Sequence, residues 1–179
     1  MEFTKYNHST EEKKIYDFWE KNNLFKPVKK KKKAFSIVIP PPNITGKLHM
    51  GHALNNSLQD VLIRYYRMNG YETLWQPGTD HAGIATQAIV EKNLSKENLD
   101  KNIIGRDKFL EKVWEWKDES GGQILDQLKK LGCSCDWSRS RFTMDSQMSK
   151  AVTKVFVSLY NKKLIYKDKK LVNWDTKLQ

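Results

Sequence analysis

Residues 40–53 read Pro-Pro-Pro-Asn-Ile-Thr-Gly-Lys-Leu-His-Met-Gly-His-Ala, and this stretch constrains the fold more than any other part of the chain. It joins an apolar strand to a long helix. Phe35-Ser36-Ile37-Val38-Ile39 is short, β-rich and almost uniformly apolar, the pattern of a parallel-sheet strand buried on both faces. A helix is expected over residues 49–68, with Leu54, Leu58, Val61, Leu62 and Tyr65 marking its buried side. A strand that ends in a loop opening a helix gathers unpaired N–H groups and the positive end of the helix dipole at one point. Phosphate binds well there.

His49 and His52 lie three residues apart, so two rings in a first helical turn project from one face toward that anion site. Two imidazoles can then donate to phosphate oxygens. Donors placed where charge grows in a transition state are worth roughly 3 to 4 kcal/mol each, and neither ring need act as a base. Gly51 carries no Cβ, which lets a flat group such as an adenine ring approach the backbone. Taken bare, two such histidines also read as surface polar residues or as half of a zinc site. The strand, loop and helix around them favour the nucleotide reading, and no Cys or third His stands near enough in sequence to suggest a metal cluster.

Gly70 is expected to stop the helix, and Tyr71-Glu72-Thr73-Leu74-Trp75 to form the next strand. Residues 78–83 then turn into a helix over residues 82–92. Asp80 falls at the carboxyl edge of the sheet, where ligands bind in open α/β folds. Taken alone it reads first as the N-cap of the helix from Ala82, and the two roles can coexist on neighbouring atoms.

The Pro-Pro-Pro-Asn-Ile-Thr-Gly loop with His49-Met50-Gly51-His52 resembles the HIGH signature of class I aminoacyl-tRNA synthetases, in the form carried by the valyl branch. Pro77-Gly78-Thr79-Asp80-His81-Ala82-Gly83-Ile84-Ala85-Thr86-Gln87 is similar to that branch's second motif. The resemblance continues through Asp136-Trp137-Ser138-Arg139 and Arg141-Phe142-Thr143-Met144-Asp145 to Leu171-Val172-Asn173-Trp174-Asp175, nearly the whole chain. It implies an α/β fold, the first half of a Rossmann-like catalytic domain with parallel strands flanked by helices. Residues 1–34 are expected to hold an N-terminal helix and a basic linker. Residues 35–179 are expected to form the N-terminal half of the catalytic domain, ending near the editing-domain insertion point, where Thr176 departs from the proline often found.

The implied activity is ATP-dependent activation of valine to valyl-adenylate and its transfer to tRNA(Val) in a full-length enzyme. The implied site has His49 and His52 as catalytic groups, His49, Gly51 and His52 at ATP, and Pro41, Asn43 and Asp80 at the amino acid. Asp80 pairs with the α-ammonium; Pro41 and Asn43 stand beside the substrate side chain. ATP enters with Mg2+ as a substrate, and no tightly bound cofactor or metal is expected. No KMSKS-like segment occurs, so the chain reads as an N-terminal fragment, either retaining activation or binding ATP or tRNA without turnover. An unrelated nucleotidyltransferase with an HxGH turn would lack the two paired motifs.

The 32 Lys and Arg against 21 Asp and Glu give a formal net charge of +11, which favours a polyanionic partner such as tRNA. Residues 29–33 are an unbroken lysine run, read as a solvated loop or a tRNA contact. Cys133 and Cys135 are too close for an ordinary disulfide and lack partners for zinc, so free thiols in a reducing cytoplasm are expected. The N-terminus has no apolar signal region, and no stretch approaches membrane-spanning length.

Elsewhere, Ser9-Thr10-Glu11-Glu12 reads as a capping box for a helix over residues 10–23, with Ile15, Phe18 and Trp19 as its apolar stripe. Residues 93–104 read as a polar loop with a small substructure. Helical segments are expected on either side of Gly121-Gly122, stopping at Gly132, and Asp145 should cap another helix. Residues 164–166 and 171–174 read as strands joined by a turn near Asp168.

Overall fold

The computed structural model describes residues 6–28 and 33–176, so residues 29–32 of the lysine run fall outside the described residues. Two compact units are present, Met1–Met144 and Asp145–Gln179. The first contains helix α1 (His8–Lys21), strand β1 (Ala34–Val38), helix α2 (Met50–Met68), strands β2 (Glu72–Gln76) and β3 (Gly78–Thr79), helices α3 (Ile84–Lys96), α4 (Lys101–Ile104) and α5 (Arg106–Lys130), and strand β4 (Arg141–Phe142). Strands β1 and β2 pair in parallel, with Ile37 opposite Trp75, and β3 pairs in parallel with β4.

Residues 72–80 form the central strand of this small sheet. Successive carbonyls point to opposite edges of a strand. Those of Gln76 and Asp80 accept from the N–H of Ile39 and Ile44, both at 3.0 Å. Those of Trp75, Pro77 and Thr79 accept from Asp136, Arg141 and Thr143 on the other edge, at 3.1, 3.3 and 3.2 Å. Gly78 is required at the crossing, because a Cβ there would lie 2.8 Å from the Arg141 carbonyl oxygen.

The expectation that β1 is buried on both faces is corrected. Phe35 and Ile37 are half-buried against the core, whereas Ala34, Ser36 and Val38 are exposed. Both α2 and α5 supply side chains to the same face, where Ile39, Ile44, Ile63, Trp75, Ile124, Leu128, Cys133 and Cys135 form the core.

The buried side of α2 also differs from the expected one. Leu54, Leu58, Val61, Leu62 and Tyr65 are exposed, and Asn56 and Ile63 are the buried residues. The inner face is polar because it binds a neighbouring loop. Asp60 accepts from the Ser134 N–H at 3.0 Å, Arg64 donates to the Gly132 carbonyl at 2.8 Å, and Gln59 accepts from the Trp75 indole at 3.0 Å. Buried backbone groups must be paired, and these side chains do the pairing.

Helix α1 starts at His8, capped by Asn7, whose side chain accepts from the Ser9 N–H; the Ser9 capping box is not the one used. Its buried residue is Tyr16, while Ile15 and Phe18 are exposed. The Tyr16 hydroxyl donates to the Cys133 carbonyl at 2.7 Å and accepts from the Trp137 indole at 2.7 Å, which ties α1 to the core loop. Burial raises its pKa. Helix α3 runs to Lys96, past the expected end, and α5 is continuous through Gly121-Gly122. Two interior glycines weaken a helix by about 1 kcal/mol each. Tertiary contact offsets this: Gly121 is buried against Ile44, and Trp116 and, adjacent to Gly121, Ser120 both donate to the Ile44 carbonyl, at 2.7 and 3.1 Å. Gly132, at φ +86°, follows the helix end as expected.

In the second unit, helix α6 (Ser146–Asn161) is capped by Asp145, which accepts from the Met148 N–H at 2.8 Å. The strands expected at residues 164–166 and 171–174 are not formed. Apolar runs become strands only when a ladder partner is present, and none pairs with these segments among the described residues.

Candidate active site

The Pro-rich loop is held at three points. The Asp80 N–H donates to the Pro42 carbonyl at 2.8 Å, and the Ile44 N–H returns a bond to the Asp80 carbonyl, so the loop continues the sheet and sits beside Asp80. Trp116 and Ser120 hold the Ile44 carbonyl from α5, and Gln127 accepts from the Leu48 N–H at 3.0 Å. Pro41 is exposed, and the exposed Asn43 side chain forms no hydrogen bond with any described residue.

At the end of this loop His49 is the N-cap of α2 rather than a residue of its first turn, with extended backbone at φ −124°. Its Nδ1 accepts from the Gly51 N–H at 3.1 Å, and the His52 Nδ1 accepts from the His49 N–H at 3.2 Å. The two rings lie 4.0 Å apart, centroid to centroid. This reciprocal cap fixes both tautomers. A ring whose Nδ1 accepts carries its proton on Nε2, so each histidine presents an Nε2–H donor. Burial, and then the neighbouring His49, hold the His52 pKa below the usual histidine value. Gly51 has a local reason to be glycine: a Cβ there would lie 2.9 Å from His49 Cε1 and push the capping ring aside.

Asp80 follows β3 at the carboxyl end of the central strand. The helix after it is capped by Gly83, not by Asp80, although Asp80 Oδ1 makes a long 3.4 Å contact with the Ala82 N–H. Positive φ at both Ala82 (54°) and Gly83 (51°) turns the chain sharply into α3. Thr143, just past β4, donates to Asp80 Oδ1 at 2.8 Å. The same hydroxyl accepts from the His81 N–H at 2.9 Å and lies 2.5 Å from His81 Nδ1. Sequence reasoning missed Thr143, Trp116, Ser120 and Gln127, because each acts across more than sixty positions of chain. The only available signal for Thr143 was its place in a motif that the fold brings alongside.

Two N–H donors at a helix start and a carboxylate at a strand end thus stand on loops bonded to each other. Residues 14–179 match the family described as tRNA synthetases class I (I, L, M and V). The chain belongs to this family. Among curated relatives it is 72% identical, over all of its length, to the valine–tRNA ligase of Pelagibacter ubique, of which it covers 20%. It is 58% identical to that of Geobacter sulfurreducens, over 94% of this chain and 19% of the other. The chain therefore spans about a fifth of the length of these relatives. Its fold is similar to that of LeuRS from Agrobacterium radiobacter K84, solved in a ternary complex with tRNA and LeuAMS. The TM-score is 0.73 at 24% identity, covering 92% of this chain and 19% of that one. Membership of the family explains why both motifs sit at the carboxyl end of parallel strands, where α/β folds place their ligands.

Proposed function

We propose that this chain carries the amino-acid-activating half-site of a valine–tRNA ligase. A valine carboxylate oxygen attacks the α-phosphorus of Mg-ATP in line, forming the acyl-phosphate bond of valyl-adenylate and releasing pyrophosphate. Transfer of valine to the 3′ end of tRNA(Val) follows in the whole enzyme. His49 and His52 donate through Nε2–H to the phosphate as negative charge grows on its oxygens. Gly51 leaves the backbone open to the adenine. Asp80 binds the valine ammonium, which leaves the carboxylate free as the nucleophile. Pro41 and Asn43, exposed on the loop bonded to Asp80, line the space for the valine side chain. The net charge of +11 favours tRNA and ATP alike. Among the described residues no helix is long and apolar enough to cross a membrane, and a cytoplasmic setting suits two unpaired thiols.

The observation that carries this reading is the reciprocal cap, since it fixes two imidazoles as paired N–H donors where a helix dipole already favours an anion. The test is valine-dependent ATP–pyrophosphate exchange by the purified chain, with threonine and isoleucine as competitors and His52→Ala as control. Exchange selective for valine and lost in the variant supports the reading. A second reading, binding of ATP or tRNA without turnover, is favoured by the open face of β1 and the exposed stripe of α2, apolar surface that the described residues leave uncovered. Folded protein that binds ATP but exchanges nothing would select it.

A further inference from the structure

The Asp80 corner has a third member. Thr143 has one hydroxyl proton, and a carboxylate only accepts, so the 2.8 Å contact assigns that proton to Asp80 Oδ1. The oxygen's lone pairs then face two nitrogens of His81. The backbone N–H donates to one at 2.9 Å, and Nδ1, at 2.5 Å, must bring a hydrogen to the other. His81 Nδ1 also lies 3.3 Å from Asp80 Oδ1, where again only a protonated nitrogen is attractive. His81 Nδ1 therefore carries a proton, opposite to Nδ1 of His49 and His52, and in the neutral ring this leaves Nε2 as an acceptor. Asp80 Oδ1 is saturated by these contacts, while Oδ2 has no hydrogen bond to any described residue. The Asp80 and His81 side chains remain 34% and 39% exposed.

We propose that Thr143 is a positioning residue: it occupies one oxygen of Asp80 so that the other meets the substrate ammonium, and it holds His81 with an acceptor nitrogen free beside that carboxylate. The inference rests on the proposed role of Asp80 and adds what orients it. Hydrogen bonding through one hydroxyl fixes the carboxylate torsion, which strand geometry alone leaves loose.

The test compares Thr143→Val, which keeps the shape and removes the hydroxyl, with Thr143→Ser, which restores it. In pyrophosphate exchange the Val variant should raise the KM for valine about tenfold, the effect expected of one lost hydrogen bond, with the KM for ATP unchanged. The Ser variant should return to near the unmodified value. Imidazole nitrogen NMR shifts of the unmodified chain, which need no substrate, should show His81 as the Nδ1–H tautomer; the Val variant should lose that preference. An Nε2–H tautomer in the unmodified chain, an unchanged valine KM, or an equal rise for ATP overturns the inference. A chain with no response to valine, but with His81 as Nδ1–H and sensitive to Thr143→Val, overturns the substrate assignment and leaves the positioning role of Thr143 supported.

Discussion

At the start of α2 the candidate donors are three positions apart in sequence and hold each other; after β3, Asp80 and His81 are held by Thr143, 63 and 62 positions away. The first corner needs only a helix start and so forms wherever α2 forms. The second exists only when β4 has docked beside the central strand. Local geometry fixes the two paired histidines as Nε2–H donors, whereas a distant hydroxyl puts a proton on Nδ1 of His81. One amino-acid type thus serves as donor in one corner and is left with a free acceptor in the other, and the difference lies wholly in what Nδ1 touches.

Replacing the histidines separates donor from cap. His52→Ala should lower exchange by two to three orders of magnitude, the usual effect of removing a transition-state donor, with the fold retained. His49→Asn should lose activity similarly yet keep its melting temperature, because asparagine is a good N-cap; His49→Ala should lose activity and about 1 kcal/mol of stability. Equal melting temperatures for the two His49 variants would show that the cap contributes nothing.

Asp80→Asn tests the other corner. Valine binding should weaken by one to two orders of magnitude as the charge-assisted bond is lost, while ATP binding holds, read by titration with each ligand. If both ligands weaken together, the two corners act as one unit. Trp116→Phe should cost about 1 kcal/mol in denaturant unfolding, since one of the two donors to the Ile44 carbonyl disappears.

Acid should loosen the local corner through His52. The His52 pKa is depressed below 6.5 in the folded chain, so the unfolded chain takes up the proton more readily. Protonating Nδ1 removes the acceptor for the His49 N–H. The stability contributed by the cap is complete above pH 6.5 and is lost as pH falls through the depressed folded value. A pH series of melting temperatures should show this slope, and His52→Ala should flatten it. A smaller effect concerns the thiols. Burial pushes Cys133 up to about 12 and raises Cys135 as well, so neither should react with a thiol reagent at pH 8 until the chain unfolds.

The same contrast explains what was legible beforehand. His49, Gly51, His52 and the helix behind them follow from local spacing, and Asp145 as a cap follows from its neighbours. Residues 54, 58, 61, 62 and 65 form a correct helical stripe, but periodicity cannot say which side a core occupies when the other side carries Gln59, Asp60 and Arg64, which have partners outside the helix. The glycines at 121 and 122 suggested a break because the reason for Gly121, the passing Ile44 loop, is more than seventy positions away. Residues 164–166 and 171–174 have strand-like composition, yet composition supplies no ladder. Thr143 stood in a motif, but nothing in that motif pointed to Asp80, 63 positions away.

The exposed stripe of α2 has a consequence for handling the protein. Leucine, valine and tyrosine side chains in open water make the surface adhesive, and the excess positive charge is the force holding copies apart. Added salt weakens that repulsion within a Debye length of about 8 Å at physiological strength and leaves the apolar attraction in place. The chain should therefore stay dispersed in dilute buffer and cluster as salt is raised, the reverse of what a surface held together by ion pairs would do.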